Sequence, residues 1–318
     1  MNYIIIAFIL FFLELVYFKI ANKYNIIDKP NHRSSHSKIT IRGGGIIFPF
    51  AIGIAFFLEY VGWALTLAVL LVAIVSFIDD IKPLSQLPRF GSHVLAVLLV
   101  AYGLHLFQDA FWVLPLVFVL FIGWINAFNF MDGINGIMVL YALVAIASFS
   151  VLPIHETSMP LLITMGLSCG IFGFFNVRQK AKTFAGDVGS ISMAVLLGYF
   201  LFKTIVETGQ LGYILFFSIY GIDAGITIFY RIIKRENILE AHRSHLYQYL
   251  ANELGRSHIH ISVIYAVLQL LVNLIVVYLD RKGYLTMAVS LFILLVLTSI
   301  YLGVRTIVVQ KMAFMDRI

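Results

Sequence analysis

Apolar runs long enough to cross a bilayer recur eleven times along this 318-residue chain. They lie near 3–19, 44–61, 63–79, 92–108, 111–127, 134–152, 160–176, 190–207, 211–230, 260–279 and 284–304. About 20 mainly apolar residues carry a helix through the hydrocarbon core. Within lipid the backbone must satisfy itself, which a helix does inside one segment. Composition agrees: 61% of residues are hydrophobic and 12% charged, against roughly 25% charged in an ordinary soluble domain. A single cysteine, Cys169, removes a disulfide-stapled module. The first run exits into Lys19 and Lys23 with no small-residue cleavage site, so it reads as a span and not a signal peptide. The expected fold is all-α, a polytopic integral membrane protein of about eleven transmembrane helices forming one domain over residues 1–318.

Cations set the orientation. Of the 22 Lys and Arg, all but Lys203, Arg281 and Lys282 fall in alternate loops, at their edges or in the C-terminal tail. Cytoplasmic loops retain positive charge, so the N-terminus is expected outside and the C-terminus inside. The net charge of +6 is then topology, with some attraction for acidic lipid headgroups. The cations are spread over short loops, so nucleic acid is not an expected partner. His105, His155 and Glu59 lie near outer ends and read as interfacial.

The same inner face collects acids and amides. Asp79 and Asp80 stand side by side at the end of the third run. Asn126, Asn129, Asp132 and Asn135 recur every three residues where the fifth meets the sixth, and Asp187 sits in Gly186-Asp187-Val188-Gly189-Ser190. Carboxylates at membrane depth are costly unless paired, metal-bound or in a wet cavity. Each group has a plain alternative. Asp79 and Asp80 fit a helix end with Lys82 as counter-ion, or a site for Mg²⁺, which prefers a few oxygen ligands plus substrate phosphates. The amide series fits helix-to-helix glue, or a turn opening on a polar cavity, since Gly133 and Gly136 interrupt regular helix. The glycines around Asp187 fit a capped turn, or an anion cradle with a metal-holding acid. Arg42-Gly43-Gly44-Gly45 either brings backbone to a phosphate or simply enters the second span. His242, Arg243 and His245 suit phosphate better than zinc, which would need further ligands.

Taken in order, these segments resemble the polyprenyl-phosphate N-acetylhexosamine-1-phosphate transferases. That family includes the enzymes that initiate O-antigen and teichoic acid linkage units, and the phospho-MurNAc-pentapeptide translocase. The resemblance runs from about Asp28 to Gln248. Asp28-Lys29-Pro30-Asn31-His32-Arg33-Ser34-Ser35-His36, with Arg42-Gly43-Gly44 after it, is similar to the family's first cytoplasmic loop. Phe77-Ile78-Asp79-Asp80 matches its paired aspartates, with Arg89 at the spacing of a downstream arginine. Asn126 to Gly133 matches its Asn-x-x-Asn-x-x-Asp-Gly segment, and Phe184 to Ser190 its Phe-Met-Gly-Asp-x-Gly-Ser. Asp223 with Arg231 resembles the polar pair of its ninth span, and His242 to Leu246 its histidine-rich loop.

The resemblance implies an enzyme of the bacterial cytoplasmic membrane. It would transfer a HexNAc-type sugar-1-phosphate from a UDP-sugar to undecaprenyl or another polyprenyl phosphate, release UMP, and initiate a cell-surface polysaccharide. Mg²⁺, or Mn²⁺, would sit on Asp187. Asp79, Asp80, Asp132 and His245 would be catalytic, and Asn129, Asn135, Asn176, Lys182, His242, Arg243 and Arg42 would bind substrate. The partners are the two substrates and membrane lipids, and a homodimer is allowed. Three departures stand out. Asn135 replaces a second aspartate. Tyr247 and Gln248 replace further histidines. Arg178-Gln179-Lys180 replaces a proline pair in a segment one residue longer. They point to a branch with a different UDP-sugar, a 6-deoxy-HexNAc or GlcNAc. The rival reading is a secondary transporter with Asp132 or Asp223 as coupling-ion sites, which predicts charges near mid-span and interrupted helices in matching halves.

Overall fold

A computed structural model describes residues 2–30, 39–109, 114–237 and 242–315. The chain runs through α1 (Tyr3–Lys23), β1 (Ile27–Asp28), β2 (Thr40–Ile41), α2 (Ile47–Phe57), α3 (Trp63–Ile81), α4 (Gln86–Gly103) and α5 (Leu106–Asp109). It continues with α6 (Leu114–Phe130), α7 (Ile137–Ser150), α8 (Met159–Asn176), α9 (Gly186–Thr208), α10 (Ser218–Ile233), α11 (Leu246–Gln248), α12 (His258–Arg281) and α13 (Met287–Met315). The one departure from an all-helical chain among the described residues is the antiparallel pairing of Ile27 with Ile41 and Asp28 with Thr40, joined by a parallel bridge between Ile41 and Thr183.

All eleven apolar runs are largely helical over their described residues. Among the described residues, seven segments are both long and apolar enough to cross a membrane, and Gly44–Phe57, Leu114–Phe130 and Ile137–Ser150 are apolar but shorter. Glycines cut two of the short ones. Gly43 enters α2 at φ 79° and Gly136 enters α7 at φ 86°, a left-handed backbone that ends regular helix. The eleventh, α4, begins at Gln86 instead of near 92. Arg89, expected in a loop, is therefore helical.

The core is organised around α9, buried at nearly every position from Val188 to Leu201 and packed on α3, α6 and α2. Small residues allow this: a Cβ on Gly198 would lie 2.6 Å from the Phe121 ring, so α6 approaches closely, as in membrane helix packing generally. A 3₁₀ stretch, Leu211–Phe217, precedes α10. Gln269 from α12 satisfies the interrupted backbone, donating to the Leu215 carbonyl at 2.8 Å and accepting the Ile219 N–H at 3.0 Å. His155, expected near an outer end, is fully buried within the protein, 2.8 Å from the Thr204 hydroxyl.

Candidate active site

Four segments distant in sequence converge where α3 ends and α9 begins. The last turn of α3 supplies Asp79 and Asp80, and the first turn of α9 supplies Asp187. The Asp80 carboxylate accepts the Asp187 and Val188 N–H groups, each at 3.0 Å, and Arg42 Nε at 2.7 Å. It thus satisfies the free donors of the α9 N-terminus while neutralised by a guanidinium. Asp79 accepts the Leu84 N–H at 2.6 Å. Arg89 reaches back from α4, with Nη1 3.3 Å from Asp79 and Nη2 3.3 Å from Asp187. The counter-ions of the aspartate pair are therefore Arg42 and Arg89. Lys82, the sequence candidate, is exposed.

Glycines bring the backbones together. Phe184 N–H donates to the Ile41 carbonyl, Gly44 N–H to Phe184 and Gly45 N–H to Ala185, at 2.8–3.0 Å. A Cβ on Gly45 would stand 2.3 Å from the Gly189 Cα, and one on Gly186, at φ 69°, 2.5 Å from Asp80 Oδ2. Arg42 sits at the lip of this seam, its carbonyl accepting the Tyr17 hydroxyl at 2.5 Å. Burial works against its charge, but the Asp80 and Asp187 carboxylates outweigh that and raise its pKa, so Arg42 stays charged.

Asn126 and Asn129 end α6, and Asp132 lies in the following turn. Asn126 bonds back to the Ile122 carbonyl at 2.8 Å. Asn129 accepts the Ser190 hydroxyl of α9, which docks this turn beside Asp187. Asp132 is half-buried and makes no side-chain hydrogen bond among the described residues. Burial, and then the Asp187 and Asp80 carboxylates, push its pKa up to about 7.

Asn135 and Asn176 fasten loops. Asn135 Nδ2 donates to the carbonyls of Arg178 at 2.8 Å and Gln179 at 3.2 Å. Asn176 accepts the Gly136 N–H at 2.8 Å and donates to the Thr183 carbonyl at 2.9 Å. Both side chains, expected as substrate contacts, thus bond loop backbone. The replacement at 135 meets the replacement at 178–180, and an aspartate there could not donate to two carbonyls. Lys182 is exposed beside them.

The histidine segment packs against the same turn. His242 stacks edge-on to Phe130, with ring centres 5.8 Å apart, and lies 4.8 Å from the His245 ring. Burial, and then the charges of His245 and Arg231, lower its pKa to about 4. Arg243 Nη2 is 3.7 Å from Glu253. His245 is buried, with Nδ1 3.4 Å from Asp223, so it faces the helix bundle more than an open cleft. Asp223 and Arg231, expected as a pair, take separate partners, since Arg231 bonds Glu236 at 3.0 Å and the Asn237 carbonyl at 2.6 Å. His32 and His36 lie outside the described residues.

Structure thus gathers Asp79, Asp80, Asp132, Asp187, Asn129 and Arg42, and leaves Lys182 at the rim. Sequence reasoning left Arg89 out of the site although its spacing had been noticed. It also missed Ser190, and Glu14 and Tyr17 of α1. Glu14 is buried, with neither carboxyl oxygen hydrogen-bonded among the described residues, and a Cβ on Gly44 would lie 3.0 Å from it. A lone acid inside the first apolar run was the available signal.

The family described as "Glycosyl transferase family 4" matches residues 62–205, which hold the acidic cluster and Arg89. Over 289 residues, 80% of this chain, the protein is 25% identical to a "Probable undecaprenyl-phosphate N-acetylglucosaminyl 1-phosphate transferase" of Bacillus subtilis (strain 168), covering 79% of that protein. It is 34% identical over 96 residues to a "Phospho-N-acetylmuramoyl-pentapeptide-transferase" of Streptococcus uberis, and 32% over 108 residues to that of Lactococcus lactis subsp. cremoris (strain MG1363). These two matches span only 26% and 31% of the relatives' own lengths. Residues 62–205 thus match glycosyl transferase family 4, and the chain is a homologue of the undecaprenyl-phosphate N-acetylglucosaminyl 1-phosphate and phospho-N-acetylmuramoyl-pentapeptide transferases.

Proposed function

We propose that this protein transfers a HexNAc-1-phosphate from a UDP-sugar to undecaprenyl phosphate, leaving UMP, at the cytoplasmic face of a bacterial cytoplasmic membrane. In this reading the chain crosses about eleven times, N-terminus outside, and its product starts a cell-surface polysaccharide. One observation carries it: four acids from three separate segments meet with two arginines at a helix N-terminus. A transporter reading would place its acids near mid-span, and Asp223 is already saturated by donors of the chain itself.

The lipid phosphate oxygen forms a bond to the phosphorus next to the sugar as the bond to UMP breaks. Both reactants are anions, so the site must supply positive charge and orientation. Arg42 and Arg89 supply fixed charge, and the α9 N-terminus adds its dipole. The donor set also fits Mg²⁺ or Mn²⁺. It is all hard oxygen, and Arg89 already puts a cation against Asp187 and Asp79. Such an ion takes one or two carboxylates and completes its shell with water and phosphate; Asp187, with Asp79 beside it, would hold it. Bound there, the metal would neutralise the diphosphate and stabilise UMP as leaving group. Asp80 is committed to holding Arg42 and α9 in place, leaving Asp79 to orient the lipid phosphate. Asp132, which makes no side-chain hydrogen bond among the described residues, accepts a hydrogen bond or proton from a reactant.

The test is transfer to undecaprenyl phosphate in membranes that contain the protein, across a panel beginning with UDP-N-acetylglucosamine and UDP-6-deoxy-HexNAc sugars, with and without EDTA. Lipid-linked product that needs the divalent ion supports the proposal. No product with any UDP-sugar would end it.

A further inference from the structure

Asp223, in α10, is fully buried and collects donors from three other elements. One carboxylate oxygen accepts the Leu246 N–H at 3.0 Å, the Tyr301 hydroxyl at 2.8 Å and the Thr227 hydroxyl at 3.4 Å. The other accepts the Tyr265 hydroxyl at 2.7 Å and, at 3.5 Å, the Tyr247 N–H. Leu246 and Tyr247 open α11, while Tyr265 and Tyr301 belong to α12 and α13. Arg305 adds a second tie from α13, donating to the Ser244 carbonyl and the Tyr301 hydroxyl, each at 2.9 Å. A carboxylate this fully used has no capacity left for a ligand. Its effect is to pin the histidine segment to three helices.

What the pinned segment does is legible at Tyr247. This side chain is fully buried, and its hydroxyl donates to the Phe130 carbonyl at 2.8 Å. That hydroxyl would lie 2.3 Å from a Cβ on Gly133, so it fits tightly against a bare backbone. Phe130 and Gly133 bracket Asp132. The residue that Asp223 holds by its main chain therefore props the turn carrying Asp132.

We propose that Asp223 is a positioning residue for Asp132, acting through Tyr247 and touching no reactant. The proposal rests on the transferase reading for what Asp132 does. The mechanical link stands apart from it, and the two can be tested apart.

The experiment uses the full chain in detergent, with Tyr247→Phe, Asp223→Asn, Asp223→Glu and the Tyr247→Phe/Asp223→Asn double variant. Amide exchange is followed over residues 130–137, and kcat and KM with undecaprenyl phosphate and the UDP-sugar most active in the panel. Asp223→Asn should speed exchange over 130–137 roughly tenfold, because a local opening becomes easier far from the altered side chain in sequence. Its kcat should fall roughly tenfold, the worth of one hydrogen bond to a charged group, while KM for undecaprenyl phosphate stays within about threefold. Asp223→Glu, which keeps the carboxylate, should recover part of both. The double variant should lose no more than Asp223→Asn alone, since coupled sites are not additive. Unchanged exchange over 130–137, or additive losses, would overturn the proposal. Should Asp223→Asn not fold, Tyr247→Phe alone must show the faster exchange and lower kcat, or the proposal fails. Coupled exchange in a protein with no turnover would sink the transferase reading and uphold the link.

Discussion

Arg89 Nη2 stands 3.3 Å from Asp187 Oδ2, and the other arm of the same guanidinium is equally far from Asp79. Without it, two acids from α3 and α9 would face each other at a helix N-terminus with Asp80 close behind. The arginine holds the cluster together and sits where a divalent cation is proposed to bind, so the two charges compete for Asp187. Arg89→Leu should lower the Mg²⁺ concentration giving half-maximal transfer, and lower kcat by about 100-fold as transition-state charge goes unmatched. Arg89→Lys should recover little, since an ammonium cannot fork between two carboxylates. A magnesium titration of the three proteins decides it.

Asp187→Asn removes the charge proposed to hold the metal and keeps the shape. Lipid-linked product should fall by roughly 1,000-fold or more, while detergent-extracted yield and thermal midpoint stay near those of the unaltered protein. Turnover within tenfold of normal would show that the acid has another task.

Asp132 predicts a pH dependence of stability. Its folded pKa, pushed up to about 7, exceeds the usual value of about 3.9 for an unfolded aspartate. The folded state therefore binds this proton more tightly. Its contribution is full below about pH 4 and disappears as pH rises to about 7, a span worth on the order of 2–4 kcal/mol, reduced where water enters. In EDTA, the thermal midpoint of the unaltered protein should fall relative to Asp132→Asn over that window. Parallel curves would refute the assignment.

Gly45→Ala drives a methyl group to 2.3 Å from the Gly189 Cα. Backbone must move to admit it, at a cost of about 1–3 kcal/mol, and the movement draws Arg42 from Asp80. Loss of activity and a lowered thermal midpoint should appear together. Gly53→Ala, where a Cβ meets nothing within 4 Å, is the control.

Reporter fusions after Arg42 and after Glu207 should read cytoplasmic and outside, respectively. The reverse pattern would invert the proposed topology and put the acidic cluster on the wrong face for a UDP-sugar.

Class and outline were open to reading along the chain because both rest on local quantities. Run length and apolar content make a helix a lipid-compatible element whatever surrounds it, so each of the eleven runs could be found alone. The acids too were visible, since a carboxylate beside an apolar run is anomalous by itself. What each acid and amide does was not visible, because that depends on which donor arrives from another helix. Asp80 and Asp79 look alike in sequence, yet one caps α9 through two N–H groups and the other faces Arg89. Asn135 and Asn176 read as substrate contacts, and the packing also gives them the loop at 178–183 to fasten. Arg89 became part of the site only once α4 was found to begin at Gln86, and Asp223 became an anchor only once Tyr265 and Tyr301 reached it from helices further along the chain. Hydrophobic patterning is additive along a sequence, whereas hydrogen-bond partnership across some 40 to 100 residues is a property of packing alone, and the packing decided it.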